Sequence, residues 1–511
     1  MAKKTAILVV LDGWGIGKNN YTNPVFMAKP TTFKWLEENY PVTSLQASGI
    51  AVGLPWGEVG NSEVGHLTLG AGKVVYQYYP KITMAIQDGT FFENPVLKAA
   101  FAHARDNNSA INFAGLLTKA NIHASLGHLQ ALLKMAAMEK VTKINLHLFA
   151  DGEDSSPRTL EPFLKEVPGE YMATLIGRYY AMDRNGNWRL TQAAYDAMLG
   201  KDGELVSDPT PAIEHMYQQK STEEYLPPLR FSDDKKIQDG DSLVFFNYRE
   251  DSIRQLASAF ILKDFDHFPR TTFNDLYVAT LSHYDDAFDV PVVFPPDKVE
   301  YPIGRVFSDA GMVQLRLAES YKYAHVTYFF NGLREEPFKG EYRTLVPSNT
   351  SPHPEEHPEM MASAITDRLV EAIESKGFDF ILVNYANADT IGHTANFDAG
   401  MAAVRVLDAQ IARVAKAADN PDTLLFITAD HGNIEVMIDE MTGTPESSHD
   451  PSPVPLYLVI QELKGRKFIN GDNLTNETLG SLADVAPTIL ALMGIRKPED
   501  MGGTSLLGSL I

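Results

Sequence analysis

Short unbroken apolar runs recur along the chain: AILVVL (6–11), INLHLFA (144–150), SLVFFN (242–247), DFILVN (379–384), TLLFIT (423–428) and PLYLVI (455–460). Runs of this length, rich in branched and aromatic residues, predict parallel strands buried on both faces. Between them the polar and apolar positions follow a helical period, which predicts helices over 127–139, 250–262, 360–375 and 398–417. Strands alternating with helices imply an α/β architecture. Two stretches read as crossings between domains. One is VVYQYYPKI (74–82), after a Gly-rich segment, and the other is the proline-rich VPVVFPPDKVEYP (290–302). There is no internal repeat and no low-complexity tract.

Composition narrows the function. The 511 residues exceed one ordinary core, and 44% apolar content can fill more than one. A net charge of −22 argues against nucleic acid or an anionic membrane as partner, because both need a basic face. No stretch approaches a membrane span, and Ala6 to Leu11 is too short for a signal segment, so a cytoplasmic protein is expected. With no cysteine, a metal must be held by oxygen and imidazole nitrogen.

Such ligands stand where an α/β sheet places active residues, beyond strand ends. AILVVL leads directly to Asp12, DFILVN is followed by Asp389 and His393, and TLLFIT by Asp430 and His431. A further loop, SSHDPSPVP, carries His449. Asp389 and His393 are four apart, so one helical turn puts both on one face. Asp430 and His431 are adjacent and either serve two ions or share one at an irregular turn. Mixed carboxylate and imidazole suit Mn²⁺ or Zn²⁺ better than Mg²⁺ or Ca²⁺. Each residue alone also has a plain role as cap, turn or structural histidine; the joint pattern favours a metal site.

The segment GEVGNSEVGHLTLGAG (57–72) opens a short predicted helix at Ser62. In one reading Ser62 is the helix cap. In the other it is a nucleophile at a phosphate-favouring helix start, activated by a divalent ion. The Walker pattern is absent.

The motifs LDGWG (11–15), GNSEVGH (60–66), NYANADTIGHT (384–394), TADHGN (428–433), SSHDPSPVP (447–455) and LADVAPTILALMGI (482–495) resemble the cofactor-independent phosphoglycerate mutases of the alkaline phosphatase superfamily. ASGIAVGLP (47–55), GRYYAMDR (177–184), KYAHVTYFFNG (322–332) and EEPFKGE (335–341) extend the resemblance over essentially the whole chain. The resemblance implies an alkaline-phosphatase-like metal-binding domain (1–76 and 298–511) with an inserted α/β phosphotransferase domain (77–297). It implies two divalent ions, with Mn²⁺ expected, and no 2,3-bisphosphoglycerate. Asp12, Ser62, Asp430 and His431 would hold one ion, and Asp389, His393 and His449 the other. Ser62 would be the nucleophile, His123 and Asp154 an acid–base pair, and Arg184, Arg249 and Lys322 substrate-binding groups. The implied activity interconverts 3- and 2-phosphoglycerate through a phosphoserine, in a monomer acting on a small phosphorylated acid.

The departures from the family pattern concentrate in the inserted segment. TKANIHAS (118–125) keeps His123 but not the surrounding Asp and glycines; Glu153, Leu190 and Ser252 stand where arginines are expected. Neither Leu nor Ser can clamp a carboxylate or phosphate in two-pronged fashion. Arg158, Arg189 and Lys119 are candidate replacements. Glu153 enters the candidate substrate-binding set with Arg184, Arg249 and Lys322. A related phosphomutase or phosphatase with another substrate is the alternative; a metal-binding protein without catalysis is a third.

Overall fold

The unbroken apolar runs become the inner strands of two separate sheets. The computed structural model describes residues 4–466 and 478–510. Contacts divide the chain into two units, Met1–Gln77 with Asp297–Ile511, and Tyr78–Pro296. Among the described residues each unit holds one eight-stranded sheet.

In the first unit the strand order is Glu341–Val346, Gln314–Glu319, Phe380–Tyr385, Thr5–Leu11, Thr423–Thr428, Val454–Val459, Val42–Gln46 and Gly480–Ser481. Thr5–Leu11 lies in the middle and runs parallel to both neighbours, with Val9 level with Val383 and Ile427. The carboxyl ends of these three strands therefore lie side by side. Val454–Val459 corrects the expectation of parallel strands throughout, since it pairs antiparallel with both neighbours. A continuous apolar run reports burial on two faces and carries no information about direction.

In the second unit the order is Val292–Phe294, Tyr277–Ser282, Ser242–Phe245, Ile111–Leu117, Ile144–Ala150, Met172–Gly177, Leu229–Arg230 and Glu204–Leu205. Its central strands are parallel and fully buried. Each sheet has its own apolar core. The second core encloses two histidines. His147, on Ile144–Ala150, meets Thr174 Oγ1 at 3.1 Å and Asn112 Oδ1 at 3.2 Å. His128 meets Thr83 Oγ1 at 3.0 Å and stacks on Tyr79. Burial pushes each imidazole down to about 3, so both stay neutral.

The predicted helices form as Leu126–Met138, Arg254–Ile261, Ala362–Ser375 and Phe397–Ala418. The second begins four residues later than its pattern predicts. Glu250 to Ile253 make a turn instead, closed by Ile253 N–H donating to the Glu250 carbonyl at 3.3 Å. That turn takes Asp251 and Ser252 off the helix. No described helix is long and apolar enough to cross a membrane.

Candidate functional site

The first polar cluster sits beyond the three central strands of the first unit. Asp12 follows Thr5–Leu11, Asp389 lies in the short helix Asn387–Gly392 after Phe380–Tyr385, and Asp430 and His431 follow Thr423–Thr428. Backbone bonds tie the loops together: Asp12 N–H donates to the Tyr385 carbonyl at 3.0 Å and Asp389 N–H to the Asp12 carbonyl at 2.9 Å. The approach needs glycine. A Cβ on Gly13, at φ +73°, would lie 2.7 Å from Asp389 Cα, and one on Gly65 would lie 2.5 Å from the Asp430 carbonyl oxygen.

Ser62 is the first residue of the helix Ser62–Ala71, and Asn61 caps it, its side chain accepting from Val64 N–H at 3.0 Å. The capping reading of Ser62 is thereby corrected: an Asn one residue earlier performs that task, with an oxygen of suitable reach. Ser62 Oγ instead faces the cluster, 2.9 Å from Asp12 Oδ1, 3.0 Å from His431 Nε2 and 2.7 Å from Lys322 Nζ. Lys322 Nζ also donates to Asp12 Oδ1 and Asp389 Oδ2, both at 2.6 Å.

The second half of this cluster gathers Asp389, His393 and His449. Asp389 Oδ1 lies 3.3 Å from His393 Nε2 and 3.2 Å from His449 Nε2. His393 Nδ1 meets the Ser447 carbonyl at 2.9 Å, and His449 Nδ1 meets the Gly60 carbonyl at 2.7 Å. A carbonyl only accepts, so each Nδ1 carries a proton, and the neutral form of each ring would present its Nε2 lone pair inward. The two Nε2 atoms face each other at 3.0 Å. Two lone pairs at that distance, beside a carboxylate, fit a cation. Asp12, Asp430 and His431 form a second set, and within each set the donor atoms lie within 4.8 Å of one another. Asp430 Oδ2 is buried 3.0 Å from His66 Nδ1, which also meets the Ser62 carbonyl at 2.9 Å. The donor chemistry thus fits two divalent ions.

The electrostatics agree. Burial alone would raise the Asp12 and Asp389 carboxyls, but Lys322 and the neighbouring imidazoles overcome it and hold both well below the usual carboxylate range. Against its own burial, His431 is pushed up to about 9 by Asp430, Asp12 and Asp389. The same negative field that holds a proton there attracts a metal ion.

A second polar cluster lies in the second unit, again beyond parallel strand ends. Asp151 follows Ile144–Ala150 and organises the DGED turn, accepting from Asp154 N–H at 3.1 Å and from Ser155 Oγ and Thr118 Oγ1, both at 2.7 Å. Arg178 follows Met172–Gly177. Its Nη1 donates to Asp151 Oδ1 at 2.7 Å and Asp154 Oδ2 at 2.6 Å, and its Nη2 lies 3.1 Å from Glu153 Oε2 and 3.3 Å from His123 Nε2. His123 Nδ1 meets Ser252 Oγ at 3.0 Å. Asp154 Oδ2 lies 3.7 Å from His123 Nε2. Arg184 and Arg249 both donate to Asp251 Oδ2, at 2.7 and 3.1 Å.

Comparison with known proteins decides the family. The Metalloenzyme superfamily matches residues 4–497. A 2,3-bisphosphoglycerate-independent phosphoglycerate mutase of Methanosarcina barkeri is 40% identical over 520 residues, covering 99% of this chain and 98% of its own. One of Thermomicrobium roseum is 42% identical over 516 residues, covering 98% and 97%. The chain belongs to the 2,3-bisphosphoglycerate-independent phosphoglycerate mutase family. A crystal structure of the phosphoglycerate mutase of Leishmania mexicana, studied at low cobalt concentration, is similar with a TM-score of 0.54 and 28% identity, covering 99% of this chain and 98% of that one.

Within this mutase-family chain, the seven residues read as metal ligands, with Lys322, come together in the first unit. His123, Asp154, Glu153, Arg184 and Arg249 come together in the second. The proposed stand-ins do not join them. Lys119 pairs with Glu166 at 2.5 Å and Arg158 lies over the Tyr217 ring, while Arg189 is exposed and Leu190 half-buried on the helix Trp188–Met198. Arg178, passed over in the sequence, takes the central place. Asn384 was also missed: its Nδ2 donates to Asp12 Oδ2 at 2.7 Å and lies 3.1 Å from His66 Nε2. A polar residue near the end of an otherwise apolar buried strand was the signal available.

Proposed function

We propose that the chain interconverts 3-phosphoglycerate and 2-phosphoglycerate through a phosphoserine on Ser62, without 2,3-bisphosphoglycerate. The position of the Ser62 hydroxyl carries this reading: a buried Oγ at 2.7–3.0 Å from Asp12, His431 and Lys322, freed from capping by Asn61. The names of the relatives favour phosphoglycerate over another phosphoester.

Asp12, Ser62, Asp430 and His431 would hold one divalent cation, and Asp389, His393 and His449 the other; the donor set suits Mn²⁺ or Zn²⁺, and the family resemblance favours Mn²⁺. When bound there, two ions would supply charge that lowers the Ser62 hydroxyl pKa and offsets charge on the transferring group. Ser62 Oγ attacks phosphorus as its proton passes to solvent, and the bond from phosphorus to the glycerate oxygen breaks. Lys322 Nζ, beside Ser62 Oγ, neutralises the phosphoryl oxygens. The freed glycerate oxygen takes up a proton from solvent, relayed by His123 Nε2 and Asp154, so the ring ends neutral. After the glycerate turns, these two residues take a proton from its other hydroxyl, which recovers the phosphoryl group. Arg184 and Arg249 pair with the substrate carboxylate, and Glu153 tempers the charge of Arg178. The first unit is the metal-binding domain and the second the transferase domain of a cytoplasmic monomer in glycolysis and gluconeogenesis.

The test is turnover of 3-phosphoglycerate with Mn²⁺, coupled through enolase. Ser62→Ala should lower it by a factor on the order of 10⁴ or more with unchanged circular dichroism. Mutase turnover surviving in that variant would refute the phosphoserine route.

A further inference from the structure

We infer that Ser252 sets the tautomer of His123, reserving its Nε2 as the proton acceptor of the second unit. The inference rests on the proton-transfer role given to His123 above. A guanidinium has N–H donors and no acceptor, so the His123 Nε2 facing Arg178 Nη2 at 3.3 Å must present a lone pair. The neutral ring then carries its proton on Nδ1, and that N–H points to Ser252 Oγ at 3.0 Å. Ser252 is 2% exposed, which limits competition from water for the bond.

Four neighbours make the arrangement specific. Asp151 and Asp154 hold Arg178 by Nη1, which aims Nη2 at the imidazole. At 3.3 Å that contact is long and can yield to a substrate hydroxyl. When the hydroxyl gives up its proton, its O–H bond breaks and an Nε2–H bond forms, leaving an imidazolium with two N–H groups. Nδ1–H stays on Ser252. Asp154 Oδ2, 3.7 Å from Nε2, and Asp251 Oδ1, 3.8 Å from Nδ1, offset the new charge. Asp251 Oδ1 is buried and has no hydrogen-bond partner among the described residues. Before transfer the ring is kept neutral, since burial and then the Arg178 charge hold it below the ordinary imidazole value, outweighing Asp154 and Asp251.

An arginine at position 252, as the family pattern expects, could not accept from Nδ1–H. A hydroxyl can. Ser252 is therefore a positioning residue that replaces charge with an acceptor.

The experiment measures site-resolved ¹⁵N shifts of His123 in the full chain, with steady-state kinetics. The natural protein and Ser252→Thr should show a protonated Nδ1 and a bare Nε2. Ser252→Ala should mix the tautomers and lower kcat about tenfold, with KM held within about twofold. An Nε2–H tautomer in the natural protein would overturn the inference, as would Ser252→Ala with unchanged shifts and unchanged kcat. Full activity in His123→Gln would remove the acid–base reading of the proposed function; the shifts judge Ser252 separately.

Discussion

The two polar clusters stand at equivalent places, beyond the carboxyl ends of parallel strands, and are built on opposite principles. In the first, Asp12, Asp430 and His431 are fully buried, and Lys322 is a cation bonded to Asp12, Asp389 and Ser62. Carboxylates and inward lone pairs outnumber it, so the cluster has room for more positive charge. In the second, each cation already has an internal anion: Arg178 has Asp151, Glu153 and Asp154, and Arg184 and Arg249 share Asp251. Several members are also half exposed, with Glu153 at 56%, Arg184 at 53% and Arg249 at 49%. On the proposed function, the first cluster captures ions, and in the second an anionic ligand competes with the protein's own acids, so that cluster discriminates more than it grips.

Removing the shared arginine clamp should be the largest way to break this contrast. Arg184→Ala with Arg249→Ala should lower kcat/KM for 3-phosphoglycerate about a thousandfold, since each charge-assisted clamp is worth roughly 1.5–3 kcal/mol. A loss confined to a few-fold would mean the carboxylate binds elsewhere. Next, Asn384→Ala should weaken Mn²⁺ binding about ten- to a hundredfold by loosening Asp12. Titration calorimetry on metal-stripped protein reads this directly, and unchanged affinity would show Asp12 to be held without it.

Acid should weaken the second unit through its buried histidines. His128 and His147 have folded values near 3, below the unfolded value of 6.5. Below pH 6.5 the unfolded chain takes up their protons while the folded chain does not, so stability falls as pH drops toward 3. Each histidine contributes about 1.4 kcal/mol per pH unit. Urea midpoints across this range should fall less steeply in His147→Gln; an unaltered slope would contradict the buried-neutral assignment. The smallest effect is Glu153→Gln. Easing the competition at Arg178 should lower KM about two- to fivefold, as the pair is partly exposed. A raised KM would show that Glu153 assists binding.

The first cluster was readable because its ligands sit at strand ends in short local patterns. Asp12 after AILVVL and His393 four residues after Asp389 need no knowledge of the fold beyond strand and helix periods. The second was readable only in part. Its members come from loops whose geometry depends on tertiary contacts. Arg178 looks like an ordinary residue of GRYYAMDR until the three strand ends bring it beside the DGED turn. Leu190 drew notice through the family pattern, but it sits half-buried on the helix Trp188–Met198. The turn at 250–253 was hidden because its residues fit a helical period, and only the fold shows that they leave it. The direction of Val454–Val459 was likewise invisible, because pairing partners decide it.

Since Asn61 secures the first turn of Ser62–Ala71, the hydroxyl beside it has no part in keeping the helix wound. In the proposed reaction that side chain gains and loses a bulky dianion at every cycle while Asn61 keeps the turn beneath it capped. Reactivity and architecture have been assigned to neighbouring residues, and either can change without disturbing the other.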